Sequence, residues 1–171
     1  MNSTEDKASV CLVKDLPATS FRRVGVIPYK VAENGRTHTF VLGIDRDSQD
    51  VSNFAGSPKP PETTMSAMIR EFEEESLGIF GTLTAQMLRD CIAIYNKREL
   101  IVFVRLTWTF NEDIHKLFNT RVKRSSEMSD IVFYDYSQLV KELSDYATKP
   151  IYTPVARLLR AAIQKNSLVF E

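Results

Sequence analysis

Residues 56–78 read GSPKPPETTMSAMIREFEEESLG, and this stretch carries the strongest structural signal in the chain. Glutamates occupy positions 71 and 73–75, directly after Arg70, and the proline-rich segment before them carries Glu62. On an α-helix Glu71, Glu74 and Glu75 lie within an arc of about 100° on one face. Like charges at this spacing repel by roughly 0.2–0.5 kcal/mol per neighbouring pair. The cluster therefore indicates a site for a cation.

The same stretch predicts an amphipathic helix that starts after Thr63 or Thr64, either of which is a plausible N-cap. Its apolar residues share one face, which the carboxylates of Glu71, Glu74 and Glu75 border at about 100° per residue. Glu73 points away from that face and is predicted to be solvated. The apolar residues are Met65, Met68, Ile69 and Phe72.

Carboxylates grouped in this way suit a hard divalent cation, which prefers oxygen ligands. Such a site can hold Mg²⁺ or Mn²⁺ and leave positions open for phosphate oxygens, and the bound cation lowers the pKa of a water molecule. Because Gly56 has no side chain, other groups can approach its backbone closely in the loop before the helix.

Position by position, the stretch resembles the Nudix box. That motif reads Gly, any five residues, Glu, any seven, then Arg-Glu-apolar-any-Glu-Glu-any-Gly-apolar. The spacing from Gly56 to Glu62 and the run that starts at Arg70 and Glu71 match it, and every charged position of the box is present. The resemblance covers 23 of the 171 residues.

Two positions depart from the box. Leu77 stands where the box has its late glycine, and Gly78 follows one residue later. Since glycine normally supplies a left-handed helix C-cap, we interpret this as a shifted helix end. Many family members also have Gly-Gly-Lys in the loop where this chain has residues 55–57, Ala-Gly-Ser, and Lys59 is a candidate replacement for that lysine.

The resemblance implies a Nudix-type α/β/α sandwich with a mixed β-sheet. It also implies a metal-dependent pyrophosphohydrolase that cleaves a diphosphate linkage in a nucleoside diphosphate derivative, with Mg²⁺ or Mn²⁺ as cofactor. Carried over to this chain, Glu71 and Glu75 are the principal metal ligands, and the backbone carbonyl of Ala55 is another. Glu74 is a further ligand or a water-positioning base, and Arg70 orients the carboxylates through charge-assisted bonds.

The roles of the remaining acids stay open between alternatives. Glu62 either binds the metal through water or braces the loop. Many Nudix enzymes have a second acid before a late strand, and Glu127 is similar in placement, with Asp130 as the alternative. A general base must reach the attacked water at ~2.6–3.2 Å or through one intermediary.

The substrate is less well defined than the reaction. The basic segment with Lys123 and Arg124 is a candidate for binding substrate phosphates or an RNA backbone, as is Lys59 for the phosphates. Capped messenger RNA is one candidate substrate beside free nucleotides, dinucleotides, nucleotide sugars and inositol pyrophosphates. The rival hypothesis is a catalytically silent module of the same fold that binds a nucleotide or RNA.

Composition narrows the class of protein. Lys+Arg and Asp+Glu are equal at 22 each, so no global basic field favours nucleic acid. We expect one domain over residues 1–171 with a flexible segment at 1–9. No apolar run approaches the ~18 residues of a membrane span. Cys11 and Cys91 are far apart and the start of the chain is polar, so we expect reduced thiols and a cytoplasmic location.

Periodicity and turn signals outline the other elements. Residues 32–36 contain Asn34-Gly35, a strong hairpin signal between two strands. The mixed order of elements favours an α/β sandwich over a regular βαβ array. Strands are predicted at 8–14, 22–31, 38–45, the end of 85–95, 99–110 and 131–136; helices are predicted from 111 or 113, at 137–146 and at 152–164; and a polar loop is predicted at 46–53.

Overall fold

The computed structural model of the chain describes residues 7–106, 113–144 and 150–165. The strands are β1 (Ser9–Leu12), β2 (Arg23–Val31), β3 (His38–Asp45), β4 (Val51–Ser52), β5 (Phe54–Gly56), β6 (Ile92–Tyr95), β7 (Glu99–Arg105) and β8 (Met128–Asp135). The helices are α1 (Thr64–Glu75), α2 (Ala85–Leu88), α3 (Asp113–Arg121), α4 (Tyr136–Glu142) and α5 (Thr153–Gln164), and a 3₁₀ turn spans Val13–Asp15.

The strands described form one mixed sheet. Its main path runs β1-β6-β7-β2-β3-β4, with β5 paired to β2 and β8 paired to β3. β2 and β7 are parallel, and the other pairs are antiparallel. The pairing of β5 with β2 places Ala55 opposite Gly25, so the segment before α1 is held against the centre of the sheet.

Helices cover both faces of this sheet. Side chains of successive strand residues point to opposite faces, so Val26 packs in one core cluster with Phe72 of α1. Its neighbour Ile27 packs in a second cluster with Leu159 of α5. The predicted α/β/α sandwich with a mixed sheet is confirmed. Within the ranges given above, no helix is long and apolar enough to cross a bilayer.

The first turn of α1 is stabilised by a capping box. The N–H of Ser66 donates to Oγ1 of Thr63 at 3.1 Å, and the N–H of Thr63 donates to Oγ of Ser66 at 2.9 Å. Two otherwise unsatisfied donors are thus paired, which typically stabilises a helix by about 1 kcal/mol. Thr63, not Thr64, is therefore the N-cap.

The end of α1 corrects the expectation of a shifted helix terminus. The helix ends at Glu75, and Leu77 itself adopts a left-handed φ of 57°, followed by Gly78 at 68°. The N–H of Gly78 donates to the carbonyl of Glu73 at 3.0 Å, which is the pattern of a Schellman motif. A left-handed leucine costs roughly 1–2 kcal/mol. Leu77 packs against the core cluster that contains Phe72 of α1, and this contact offsets part of that cost.

Some other element boundaries differ from the sequence-based prediction because they depend on pairing with another strand. The predicted polar loop at 46–53 is shorter, because β4 pairs with β3 through Gly43 and Ser52. The hairpin at 32–37 is present, with a left-handed Gly35. The predicted strand residues 107–110, the helix start at Asn111 and the helix end at 145–146 lie outside the described residues.

Candidate functional site

Three carboxylates meet beside the C-terminal half of α1. Glu71 and Glu75 lie one helical turn apart, and Glu127 reaches them from the segment just before β8. One carboxylate oxygen from each residue can be chosen so that the three lie within 4.8 Å of one another. Glu71 and Glu75 are 8% and 6% exposed, whereas Glu127 is exposed. Three hard oxygen donors at this spacing match the donor set that Mg²⁺ or Mn²⁺ prefers.

Glu75 lies at the centre of this group. Its Oε2 accepts the backbone N–H of Ala55 at 3.0 Å. Burial, followed by a hydrogen bond with Glu127, raises the pKa of Glu75 to about 9, while the N–H of Ala55 and the charge of Arg23 act in the opposite direction. A divalent cation would reverse this effect because it favours the ionised carboxylate. The buried carboxylates therefore fit a metal ion.

Glu71 depends on the glycine that begins the box. A Cβ atom at Gly56 would collide with the carboxylate carbon and with both oxygens of Glu71. The close approach predicted for Gly56 is therefore the approach of the Glu71 carboxylate to the backbone of β5.

Arg70 holds three glutamates in place. Its Nε and Nη2 donate to Oε2 and Oε1 of Glu62 at 2.7 and 2.9 Å. Its Nη1 donates to Glu71 at 2.8 Å and to Glu74 at 3.2 Å. These are charge-assisted bonds, and the contact with Glu62 is bidentate. Arg70 thus lies where the resemblance implied, orienting the carboxylates.

Glu62 has both carboxylate oxygens engaged within the loop. Oε1 also accepts the backbone N–H of Lys59 at 2.7 Å. The bonds from Arg70 and from Lys59 lower the pKa of Glu62 to about 2. Of the two roles left open by the sequence, this geometry favours the loop brace.

The structure separates some predicted site residues from the three carboxylates. Glu74 is held on Arg70 with its side chain 58% exposed, and Glu73 is exposed as predicted. Asp130 accepts a bond from Nε2 of His115 at 2.6 Å. Among the residues the structure describes, the metal-compatible group comprises Glu71, Glu75 and Glu127 and leaves out both Glu74 and Asp130.

Arg46 supports the position of Glu127, and sequence reasoning missed it. Its backbone N–H donates to the carbonyl of Glu127 at 2.8 Å. Its Nε donates to the carbonyl of Ser126, and its Nη2 to that of Lys123, both at 2.8 Å. An arginine in a polar loop carries no signal of this role, because its two side-chain contacts join residues 77 and 80 positions apart in the sequence.

Two of the three carboxylates, Glu75 and Glu127, line a cavity of about 380 Å³. Ala55 lines it, as do Tyr152 and Arg23, whose guanidinium lies 4.9 Å from the centre of the Tyr152 ring. The predicted phosphate-binding residues Lys59, Lys123 and Arg124 are exposed and do not line this cavity. The other lining residues are Asp45, Ser48, Asp50, Ser52 and Met128.

Comparison with known proteins gives a match in structure and none in sequence. No family model matches the chain, and no curated protein matches it. The C. elegans Ap4A hydrolase in a binary complex is 18% identical with a TM-score of 0.52, over 85% of this chain and 98% of that one. The M. smegmatis Nudix hydrolase RenU is 9% identical with a TM-score of 0.53, over 89% and 90% of the two chains.

A third solved structure agrees with these two. The NUDIX domain of Shewanella oneidensis NrtR, complexed with ADP ribose, is 8% identical with a TM-score of 0.50, over 90% of this chain and 92% of that one. At such identities the likeness concerns the arrangement of helices and strands. The chain therefore has the Nudix hydrolase fold.

Proposed function

We propose that this chain is a Nudix hydrolase, a metal-dependent pyrophosphohydrolase that cleaves a diphosphate linkage in a nucleoside diphosphate derivative. The observation that carries the proposal is the meeting of Glu71, Glu75 and Glu127 on the Nudix fold, with oxygens within 4.8 Å. Two of these carboxylates are buried. Burying acids together without a cation is costly, so their grouping supports a metal site.

In this proposal Glu71 and Glu75 hold Mg²⁺ or Mn²⁺, together with the backbone carbonyl of Ala55, and Glu127 lies beside them within reach of a bound water. When bound, the cation polarises a phosphoryl group and lowers the pKa of a water molecule. Glu127, the exposed member of the group, accepts the proton of the attacking water. Arg70 keeps Glu71 and Glu74 oriented.

Candidate substrates share a nucleotide part. One neighbour of the same fold is an Ap4A hydrolase, and another is a domain complexed with ADP ribose. These support a nucleotide-type substrate, and capped messenger RNA is kept as a further candidate. Free thiols at Cys11 and Cys91 support the proposed cytoplasmic location.

A product-resolved screen with Mg²⁺ and with Mn²⁺ tests the activity. It offers nucleoside triphosphates, ADP-ribose, Ap4A and capped RNA to the wild type and to Glu75→Gln. Because Gln cannot supply an ionised ligand, Glu75→Gln should abolish metal-dependent turnover while the fold persists. Glu73→Gln, an exposed change on the same helix, is the matched control and should keep full activity.

The outcomes separate the two hypotheses. Full activity in Glu75→Gln would reject the metal assignment. Binding of a nucleotide without turnover of any substrate would favour the silent binding module on the same fold.

A further inference from the structure

A second, strongly basic cavity adjoins the carboxylate site. Its volume is about 310 Å³, and it shares Arg23 and Tyr152 with the cavity above the carboxylates. The guanidinium of Arg23 lies over the Tyr152 ring, and this pair borders both cavities. The cationic residues of its lining are Arg22, Arg23, Lys97, Arg98 and Arg157.

Backbone hydrogen bonds bring these cations together from distant parts of the chain. The carbonyl of Arg98 accepts the N–H groups of Arg22 and Arg23 at 2.9 and 3.2 Å. Oδ1 of Asn96 accepts the N–H of Arg98 at 2.9 Å and that of Glu99 at 2.8 Å, which fixes the turn between β6 and β7. The site is therefore built on ordered turns, and α5 adds Arg157.

Cationic side chains outnumber acidic ones in the lining of this cavity. Among the described residues that line it, Glu99 is the one acid. Glu99 is only 6% exposed and pairs with Arg23 at 3.2 Å. The other four cations are exposed, and grouping like charges in one cavity costs Coulomb energy. That arrangement favours a polyanionic ligand, as the carboxylates next to it favour a cation.

We propose that the basic cavity binds phosphate groups of the substrate beyond the cleaved diphosphate linkage. The inference rests on the proposed function and deepens it, because it makes the substrate class polyphosphorylated. A chain of phosphates could reach from a metal at the carboxylates, past Arg23 and Tyr152, to the cations of the adjoining cavity. A cavity of about 310 Å³ suits a compact polyphosphate group better than an extended nucleic-acid strand.

Binding of inorganic tripolyphosphate in EDTA tests the cavity without metal or turnover. Titration calorimetry compares the wild type with the double variant Lys97→Gln, Arg157→Gln. Both residues are exposed, so neither change disturbs the core, and Arg23 stays in place because its loss would leave Glu99 buried and unpaired. Lys141→Gln, an exposed cation on α4 outside this cavity, is the matched control.

The double variant should weaken tripolyphosphate binding by about tenfold or more, because it loses two charge-assisted contacts. Lys141→Gln should bind as the wild type does. Unchanged affinity in the double variant, an equal loss in Lys141→Gln, or no binding by the wild type would overturn the proposal.

Turnover supplies a second readout. ADP-ribose has no phosphate beyond its diphosphate linkage, whereas Ap4A has two more. The double variant should lower kcat/KM for Ap4A by about tenfold, mainly through KM, and change that for ADP-ribose less than about twofold. Equal losses for both would contradict the proposal.

Two outcomes distinguish this proposal from the proposed hydrolase function and from RNA binding. If the wild type hydrolyses nothing, the proposed function fails, but the tripolyphosphate titration still decides the role of the cavity. If the double variant binds tripolyphosphate normally and loses affinity only for a capped RNA decamer, the cavity is an RNA site and the proposal is wrong.

Discussion

The carboxylate of Glu71 lies against the backbone of Gly56, in the space that a side chain at position 56 would occupy. The two residues belong to different elements, since Gly56 ends β5 and Glu71 lies in the middle of α1. The fixed spacing between the glycine and the glutamate therefore has a steric cause.

Gly56→Ala should displace Glu71 from the group of three carboxylates. Because the colliding atoms are at the end of a flexible side chain, stability should change by less than about 1 kcal/mol. Affinity for Mn²⁺ should fall by about 10–100-fold, the usual effect of disturbing the support of a metal ligand. Thermal melting together with a Mn²⁺ titration checks both parts. Unchanged Mn²⁺ affinity would contradict the steric assignment.

The variants Glu127→Gln and Asp130→Asn should differ strongly in kcat. Glu127 lies with Glu71 and Glu75, whereas Asp130 is held by His115. If Glu127 accepts the proton of water, Glu127→Gln should lower kcat by about 10²–10⁴-fold and remove the acidic limb of its pH–rate profile. Asp130→Asn should lower kcat by less than about tenfold. The reverse order of effects would assign the base to Asp130.

Arg46→Ala should lower activity without touching the carboxylates directly. It removes the bonds from Nε and Nη2 that hold Ser126 and Lys123, so the segment before Glu127 loosens. We expect a loss of about 1–2 kcal/mol in stability and a larger effect on kcat than on KM. Arg36→Ala, an exposed arginine in the hairpin, is the control. Equal kcat in the two variants would exclude this positioning role.

Glu62 should contribute to acid stability. Its pKa is lowered to about 2, below the unfolded value of about 4.5, because Arg70 and the N–H of Lys59 bind the ionised form. The contribution is therefore present above pH 4.5 and is lost as the pH falls toward 2. Urea unfolding between pH 6 and 2 should show a smaller acid loss for Glu62→Gln than for the wild type. If the free energy of unfolding of the two proteins depends on pH in the same way, Glu62 does not brace the loop.

Local signals in the sequence were sufficient to predict most of the helices and strands. The strand His38–Asp45 and the hairpin at Asn34-Gly35 follow from alternation and turn chemistry, which act between near neighbours. Helical spacing predicted α1 with Glu71, Glu74 and Glu75 on one face, but in the structure Glu74 is held on Arg70 and does not join the group of three carboxylates. The short strand β4 was missed, because its pairing with β3 depends on a partner and not on its own two residues.

The sequence by itself determined the helix and its clustered carboxylates, because these depend on spacing within a single segment, and its resemblance to the box implied a reaction class. Only the tertiary structure decided which of Glu127 and Asp130 reaches Glu75. It also placed Arg46 under that segment and brought the basic residues of β2, the β6–β7 turn and α5 into one cavity. The reason is physical: those contacts join residues tens of positions apart, so strand pairing and core packing, not local propensity, bring them together.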